Sequence, residues 1–169
     1  SGQYISYLLT PATVCLAVPL YQQMELLKKN LKAVVIGIVS GVLASMVSVL
    51  LLAKLFRLSH DQYVTLLPKS ITTAIGMGVS EELGGIVTIT VAVIIITGVL
   101  GNMIAETVIK LAHIEEPIAK GLALGTSAHA IGTAKAMELG EVEGAMSSLA
   151  IAVAGLLTVI GASVFAQFM

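Results

Sequence analysis

The chain carries the same polar pattern twice, and this repeat constrains its fold more than any other feature of the sequence. The string Ala-Ile-Gly occurs at residues 74–76 and 130–132, and each copy is followed by Glu-Leu-Gly, at 82–84 and 138–140. The offset is 56 positions in both cases (130 − 74 and 138 − 82), and six of the thirteen positions from 73 to 85 are identical to their counterparts. Chance similarity is the alternative, because Ala, Ile and Gly are abundant here, but the constant spacing favours a true repeat.

Both copies lie between long apolar stretches, and the composition requires a lipid bilayer around them. The sequence is 57% hydrophobic and only 11% charged, whereas soluble domains carry about 25% charged residues. Four uncharged runs are each long enough for a membrane-spanning helix, which needs about 20 residues; they are Ser1–Met24, Ala33–Ala53, Leu83–Ala105 and Gly144–Met169. Paired polar interruptions in such a protein are typical of the substrate site of a transporter.

These runs predict an all-α, polytopic membrane protein that forms a single domain over residues 1–169. It would hold about four full transmembrane helices and two broken or re-entrant helical segments related by the internal repeat. The predicted helices are Tyr4–Tyr21, Ala33–Phe56, Gly85–Leu111 and Gly144–Phe168, and the repeat copies lie near 61–85 and 119–141. In the second helix, Gly37 and Gly41 form a GxxxG pattern that permits close helix contact, although ordinary small residues in an apolar helix would look the same.

The distribution of Lys and Arg bears on how the two polar segments sit in the membrane. If each segment is a hairpin that enters and leaves on one side, only Lys54 and Arg57 lie outside. The other lysines near the helix ends then lie inside, namely Lys28, Lys29, Lys32, Lys110 and Lys120. If each segment crosses the membrane, the last two of these move outside as well. Because cytoplasmic loops carry an excess of positive charge, the count favours two inverted re-entrant hairpins.

The first polar segment holds residues that suit an anion. Lys69 is the only charged residue between Gln62 and Ser80. A broken helix within a membrane is tolerated where it lines a water-filled cavity, and the N-terminus of a half-helix there attracts negative charge. We therefore expect a small carboxylate to bind here, with contacts from Lys69, Ser70, Thr72 and Thr73. The alternative for the lysine is a snorkelling residue at a helix end.

In the second polar segment, His129 is the only ionisable group between Gly121 and Ala134. Ionisable residues within a membrane are rare and mark functional sites by default. A histidine can donate a hydrogen bond to a carboxylate or change protonation near neutral pH. Its neighbours add hydroxyl groups, so we expect substrate contacts from Thr126, Ser127, His129 and Thr133. The alternative is a histidine that merely ties two helices together.

Glu82 and Glu138 occupy equivalent places in the two copies and are candidates for binding a coupling proton or sodium ion. A water-exposed carboxylate near the start of the next helix is the stronger interpretation of each. We expect Glu81, Glu141 and Glu143 to be solvated. No GxSxG, HExxH, CxxC or P-loop string occurs in the sequence, so it predicts no enzyme, cofactor or metal site. It also has no basic stripe, which predicts no nucleic-acid partner.

At its polar segments the chain resembles the LrgB/CidB family of bacterial membrane proteins. The matching strings are LPKSITT at 67–73, GVSEELGG at 78–85, GLALGTSAHAIGTA at 121–134 and ELGEVEGA at 138–145, together with PATV at 11–14 and AVPLY at 17–21. The resemblance spans essentially the whole chain. It departs from the family at Ala74, where the usual residue after the paired threonines is proline. Family members are longer at the N-terminus, so we expect a helix or two to precede this sequence.

The resemblance implies a multi-pass protein of the bacterial cell membrane and two competing functions. The family is traditionally regarded as holin- or antiholin-like, modulating murein hydrolases and cell lysis. Plant relatives export glycolate and glycerate, and some bacterial relatives are linked to pyruvate uptake. A holin needs no dedicated polar pocket, so the local chemistry favours a secondary transporter of small 2-hydroxy or 2-oxo monocarboxylates, and lysis phenotypes would follow from altered carboxylate metabolism. A purely structural scaffold would not explain the repeated polar segments.

The expected partners follow from the same resemblance. They are the carboxylate substrate, the lipid bilayer, an LrgA/CidA-like small membrane protein and further copies of the chain in a homo-oligomer.

Overall fold

The computed structural model describes residue 18 and residues 21–169, and this part of the chain is helical without any strand. Seven α-helices follow one another here, with a 3₁₀ helix after the last. They are α1 (Met24–Lys29), α2 (Leu31–Phe56), α3 (His60–Leu66), α4 (Thr73–Glu82), α5 (Val87–Leu111), α6 (Pro117–Leu139) and α7 (Glu141–Phe165), and the 3₁₀ helix is Ala166–Phe168. The predicted first helix, Tyr4–Tyr21, lies almost entirely outside the described residues.

Three of the described helices are long and apolar enough to cross a membrane, namely Leu31–Phe56, Val87–Leu111 and Glu141–Phe168. They correspond to the second, third and fourth helices that the sequence predicts. Each turns large apolar side chains outward, for example Leu55 at 73% exposure, Leu100 at 52% and Leu156 at 63%. Such exposed apolar faces are favourable only against lipid or another apolar surface.

The first polar segment folds back on itself as two helices, α3 and α4, joined by residues 67–72. The contacts of Thr65 in α3 and Ser80 in α4 show this reversal, because both lie against Thr90 at the start of α5. The hydroxyl oxygen of Thr90 lies 2.9 Å from the Thr65 carbonyl oxygen and 2.7 Å from the Ser80 Oγ. The Ile86 backbone N–H also donates to Thr65 Oγ1 over 2.7 Å. The last turn of α3 and the last turn of α4 therefore lie together, beside the start of α5.

The second polar segment is interrupted at two residues within α6. Ala128 has φ −127° and ψ 15°, and His129 has φ 43° and ψ −135°. A Cβ built on Gly132 would lie 2.7 Å from the carbonyl oxygen of Leu124, eight positions earlier. Eight residues of a straight α-helix rise about 12 Å, so this contact requires a reversal of direction. We name the two halves α6a (117–127) and α6b (130–139).

The ends of α6 lie on the same side of the bundle. Lys120 near the beginning and Leu139 at the end line one small cavity with Ile109 and Lys110 from the end of α5. Leu124 and Ala136 likewise belong to one buried cluster with Ala105. The second polar segment is therefore a helical hairpin, like the first.

Close contacts at glycines fix how the long helices run relative to α6a. A Cβ at Gly37 or Gly41 of α2 would come within 2.9 Å of Leu122 or 2.7 Å of Thr126, respectively. The predicted GxxxG pattern thus brings α2 close to α6a, and the two helices run in the same direction. On its other side α6a lies along α7, where a Cβ at Gly125 would lie 2.5 Å from the Ser147 carbonyl oxygen.

These contacts define two ends of the bundle. The lysine-rich end holds the start of α2, the end of α5, both ends of α6 and the start of α7. The Tyr63 end holds the end of α2, the α3–α4 hairpin entry, the start of α5 and the end of α7. At this second end the Tyr63 hydroxyl donates to the Phe165 carbonyl oxygen over 3.0 Å. The two hairpins therefore enter the bundle from opposite ends.

The close packing of α6a on α7 makes a testable prediction at Gly125. In Gly125→Ala, the new Cβ would also lie 2.7 Å from the Ala150 Cβ, so α6a and α7 must move apart. Overpacking of this kind costs about 1–3 kcal/mol of unfolding free energy. We expect a clearly lower melting temperature for the full-length protein in detergent. The matched control is Gly78→Ala, whose Cβ would meet nothing within 4 Å and whose melting temperature should not fall. Equal melting temperatures for the two variants would contradict this packing.

Candidate functional site

A cavity of about 1020 Å³ lies between α2 and α6a. It begins at the lysine-rich end, where Asn30 and Glu116 line it, and it ends inside the bundle at the loop between α3 and α4. Small and hydroxyl-bearing side chains dominate its walls. They are Gly37, Ser40, Gly41, Ala44, Ser45 and Ser48 of α2, Ala119, Leu122, Ala123, Thr126 and Ser127 of α6a, and Lys69 and Ser70 of the loop.

Lys69 and Ser70 form the inner end of this cavity. The Lys69 ammonium donates to the Ser70 Oγ over 2.9 Å, and the Ser70 Oγ lies 3.0 Å from the Ser45 Oγ of α2. Backbone bonds of a tight turn hold the two residues there, because Lys69 N–H donates to the Leu66 carbonyl and Ile71 N–H to the Pro68 carbonyl. The structure thus places a cation and two hydroxyls at one point.

No carboxylate neutralises Lys69 within the described part of the chain. The three ion pairs found there join Lys110 to Glu106 at 3.5 Å, and Lys135 to Glu106 at 2.7 Å and Glu138 at 3.0 Å. The sequence of residues 1–20 contains no Asp or Glu. A half-buried ammonium in an apolar bundle is costly without a counter-charge. The inner end of the cavity is therefore an electrostatically favourable place for an anion.

Thr126 and Ser127, two of the predicted substrate contacts, also line the cavity, but their hydroxyl hydrogens point into their own helix. Thr126 Oγ1 donates to the Leu122 carbonyl over 2.8 Å and Ser127 Oγ to the Ala123 carbonyl over 2.6 Å. Their lone pairs remain free to accept hydrogen bonds. Donors for an anion in this arrangement come chiefly from Lys69 and the Ser45–Ser70 pair.

Four other predicted contact residues lie outside the lining of this cavity. Thr72 precedes the first residue of α4 in an extended conformation, and Thr73 begins that helix. The Nε2 of His129 lies 2.9 Å from the Ile94 carbonyl oxygen, and the residue is only 3% exposed. Thr133 Oγ1 lies 2.7 Å from Ser147 Oγ in a buried contact between α6b and α7. The structure brings Lys69, Ser70, Thr126 and Ser127 together in the lining of one cavity, and these four residues are not part of that lining.

The glutamates at the helix ends lie apart from the cavity. Glu82 is exposed at the Tyr63 end, and Glu138 is exposed at the lysine-rich end, paired with Lys135. Glu81 and Glu141 are exposed, as expected. The expectation that Glu143 is solvated is wrong, because only 7% of this residue is exposed. It lies on the face of α7 that packs against α6, with its carboxylate next to Gly140.

Sequence reasoning missed the contribution of α2. Ser45 completes the hydrogen-bonded group at the inner end, Ser40 and Gly41 line the outer part, and Ser48 lines the cavity one turn beyond Ser45. The signal was a stripe of small and hydroxyl residues at intervals of three and four along an otherwise apolar helix. Asn102 was missed as well. Its side-chain amide donates to the Ile131 carbonyl over 3.1 Å and links α5 to α6b.

Comparisons with known proteins place the chain among membrane proteins of bacteria. The profile of the LrgB-like family matches residues 1–168. The chain is 41% identical over 167 residues to proteins named antiholin-like protein LrgB from Bacillus mycoides strain KBAB4, Bacillus cereus strain B4264 and Bacillus anthracis strain CDC 684 / NRRL 3495. Each match covers 99% of this chain and 73% of the relative. No solved structure matches the chain.

These names bear on the two functions that the sequence left in competition. They support the holin- or antiholin-like alternative better than the carboxylate transporter that the polar segments led us to prefer. The matched region includes the whole cavity and both hairpins. The chain belongs to the LrgB-like family, and it is a multi-pass protein of the bacterial cell membrane.

Proposed function

We propose that this protein acts in the antiholin-like role that the names of its relatives indicate, and that its molecular activity in this role is to bind and carry small monocarboxylates. The names favour the first half of the proposal, an antiholin-like membrane protein. Modulation of murein hydrolase activity and lysis is what the resemblance to the LrgB/CidB family implies for this role. The cavity favours the second half. Effects on lysis would then follow from changes in carboxylate metabolism.

The observation that carries the transport proposal is Lys69 at the inner end of the cavity. Its ammonium is hydrogen-bonded to one serine and has no carboxylate partner among the described residues. A carboxylate substrate would neutralise this charge, and Ser45 and Ser70 would donate or accept at its oxygens and at a 2-hydroxy or 2-oxo group. A non-selective pore has no use for a single cation placed at one end of such a cavity.

The transport proposal also includes an inverted repeat of two re-entrant hairpins. Three observations support it. The hairpins enter from opposite ends of the bundle, each is followed by a long helix, and the helical half after each break begins at equivalent positions of the repeat, 73 and 129–130. Ser70 and Thr126 are also equivalent under the offset of 56 positions (126 − 70), and both line the cavity. Inverted repeats with broken helices at the substrate site are a recurring design of secondary transporters.

The positive-inside rule assigns an orientation to this arrangement. The lysine-rich end carries Lys28, Lys29, Lys32, Lys110 and Lys120, whereas Lys54 and Arg57 lie at the Tyr63 end. The lysine-rich end would therefore face the cytoplasm, and the cavity would open there. The substrate site would lie at the inner end, near the middle of the bilayer.

Further features of the proposal concern coupling and partners. Glu82 and Glu138 remain candidates for a coupling ion, each at one end of the bundle. Thr72, Thr73, His129 and Thr133 would shape the site from behind its lining. The exposed apolar faces of the long helices would contact lipid, an LrgA/CidA-like small membrane protein or further copies of the chain.

The transport proposal predicts a large effect of Lys69→Met. The substitution keeps the length and the apolar stem, so the fold should survive, but a bound carboxylate would lose its counter-charge. Breaking a buried ion pair costs about 3–5 kcal/mol, so we expect uptake to fall by about 100-fold or more. Lys69→Arg should recover only part, because the wider planar fork fits a lysine site poorly. The measurement is uptake of labelled pyruvate, lactate, glycolate and glycerate into liposomes that hold the full-length protein.

The matched control is Lys54→Met, which removes an exposed lysine at the other end of α2 and should leave uptake unchanged. Near wild-type uptake by Lys69→Met would contradict the site assignment and show that Lys69 is a snorkelling residue.

The link between transport and the antiholin-like role predicts that one substitution removes both. In a bacterial host, Lys69→Met should lose the effect of the wild-type protein on murein hydrolase activity, while membrane levels of the protein stay equal. The measurement is the rate of autolysis with protein abundance checked in the membrane fraction. If the variant keeps the full lysis effect but has lost carboxylate uptake, the two activities are separate and the link is wrong.

A further inference from the structure

Three polar contacts join the break in α6 and the following helix α6b to α5. The His129 ring meets the Ile94 carbonyl, the Asn102 amide donates to the Ile131 carbonyl, and Lys135 pairs with Glu106. The partners on α5 are spaced four residues apart or a multiple of four. The His129–Ile94 contact lies at the break itself. His129 is also the residue that the sequence predicted to contact the substrate.

The His129 ring packs against α5 beside the Ile94 carbonyl and residue 98. A carbonyl oxygen can only accept, so the ring nitrogen Nε2 must donate to Ile94. The ring fits against α5 because residue 98 is glycine. A Cβ there would lie 2.6 Å from the ring Cε1 and 2.7 Å from Nε2. Gly98 is thus the space into which the ring packs.

Ile94 also touches the other hairpin. It is fully buried, with 0% exposure, and its Cδ1 packs against Gly76 near the start of α4. One residue of α5 therefore accepts the hydrogen bond from the break in α6 and packs against the helix that follows the break in the first hairpin. Through Ile94, the break in α6 is therefore linked to α4, the second helix of the other hairpin.

We propose that His129 is a positioning residue that holds the break of α6 in register with the α3–α4 hairpin through Ile94. This inference rests on the proposed transport function and deepens it. Thr126 and Ser127 lie just before the break, and Ser70 lies just before α4, so the bond would set the distance between the two walls of the anion site. The ring would act through the backbone of α5, without contacting the substrate and without changing its protonation.

The test uses three variants in the full-length protein. His129→Gln keeps a donor, because the glutamine amide nitrogen can reach the place of Nε2. His129→Phe keeps a ring but has no hydrogen-bond donor. Gly98→Ala fills the space into which the ring packs. We expect carboxylate uptake of the last two to fall at least about tenfold. His129→Gln should retain at least half of wild-type uptake with an unchanged pH profile. The matched control His113→Phe alters an exposed histidine at the lysine-rich end and should behave as wild type.

A second readout does not depend on transport. In a Cys15→Ser background, Ala136→Cys places a thiol on α6b at a position with 0% exposure. We expect a polar maleimide to label it at least about threefold faster when His129→Phe or Gly98→Ala is added, and at the parent rate with His129→Gln.

The outcomes separate this inference from the function on which it rests. Loss of uptake in His129→Gln, or a shifted pH profile, would overturn the positioning role in favour of a direct or titrating one. Unchanged labelling in both His129→Phe and Gly98→Ala would overturn it as well. If the wild-type protein carries no carboxylate, the transport proposal fails, and the labelling rates alone decide whether His129 holds the hairpin.

Discussion

Broken helices inside a membrane survive only where they are buried in protein or line a cavity, and in this structure α5 packs against both hairpins and donates a side-chain hydrogen bond to each of them. Its first turn holds the α3–α4 hairpin, where Thr90 lies within hydrogen-bond distance of Thr65 and Ser80. Its later turns hold α6b, where His129 meets the Ile94 carbonyl and Asn102 donates to Ile131. Lipid offers no such partners, so both hairpins are held against α5.

The cavity follows from the same arrangement. With both hairpins fixed to α5, the loop between α3 and α4 lies between α2 and α7. Helix α2 can approach α6a only because Gly37 and Gly41 lack side chains. The space left between these helices is lined by small and hydroxyl residues and ends at Lys69. The charge of that lysine gives the space a chemical preference. In the transport proposal, this charge is the feature that would distinguish a selective anion carrier from a membrane lesion.

The sequence predicted the parts of this fold that depend on local pattern. Uncharged runs located the three long helices, and the polar interruptions located both hairpins and four residues of the cavity. Three features could not be predicted from the local sequence, because each depends on which helix faces meet after the hairpins fold. Serines within an apolar helix, such as Ser45, look the same whether they face lipid, a helix or a cavity. Glu143 is buried only because α6b returns beside α7, and His129 faces α5 only because of the backbone reversal at the break.

The antiholin-like names of the relatives and the chemistry of the cavity are compatible if the protein affects lysis through the anions it carries. The most direct test of the central claim is equilibrium binding of labelled pyruvate and glycolate to the purified full-length protein, with their uncharged methyl esters as competitors. The account predicts saturable binding of the anions that the esters do not displace, because the esters cannot neutralise Lys69. Absence of saturable binding, or displacement by the esters as effective as by the unlabelled anions, would contradict it.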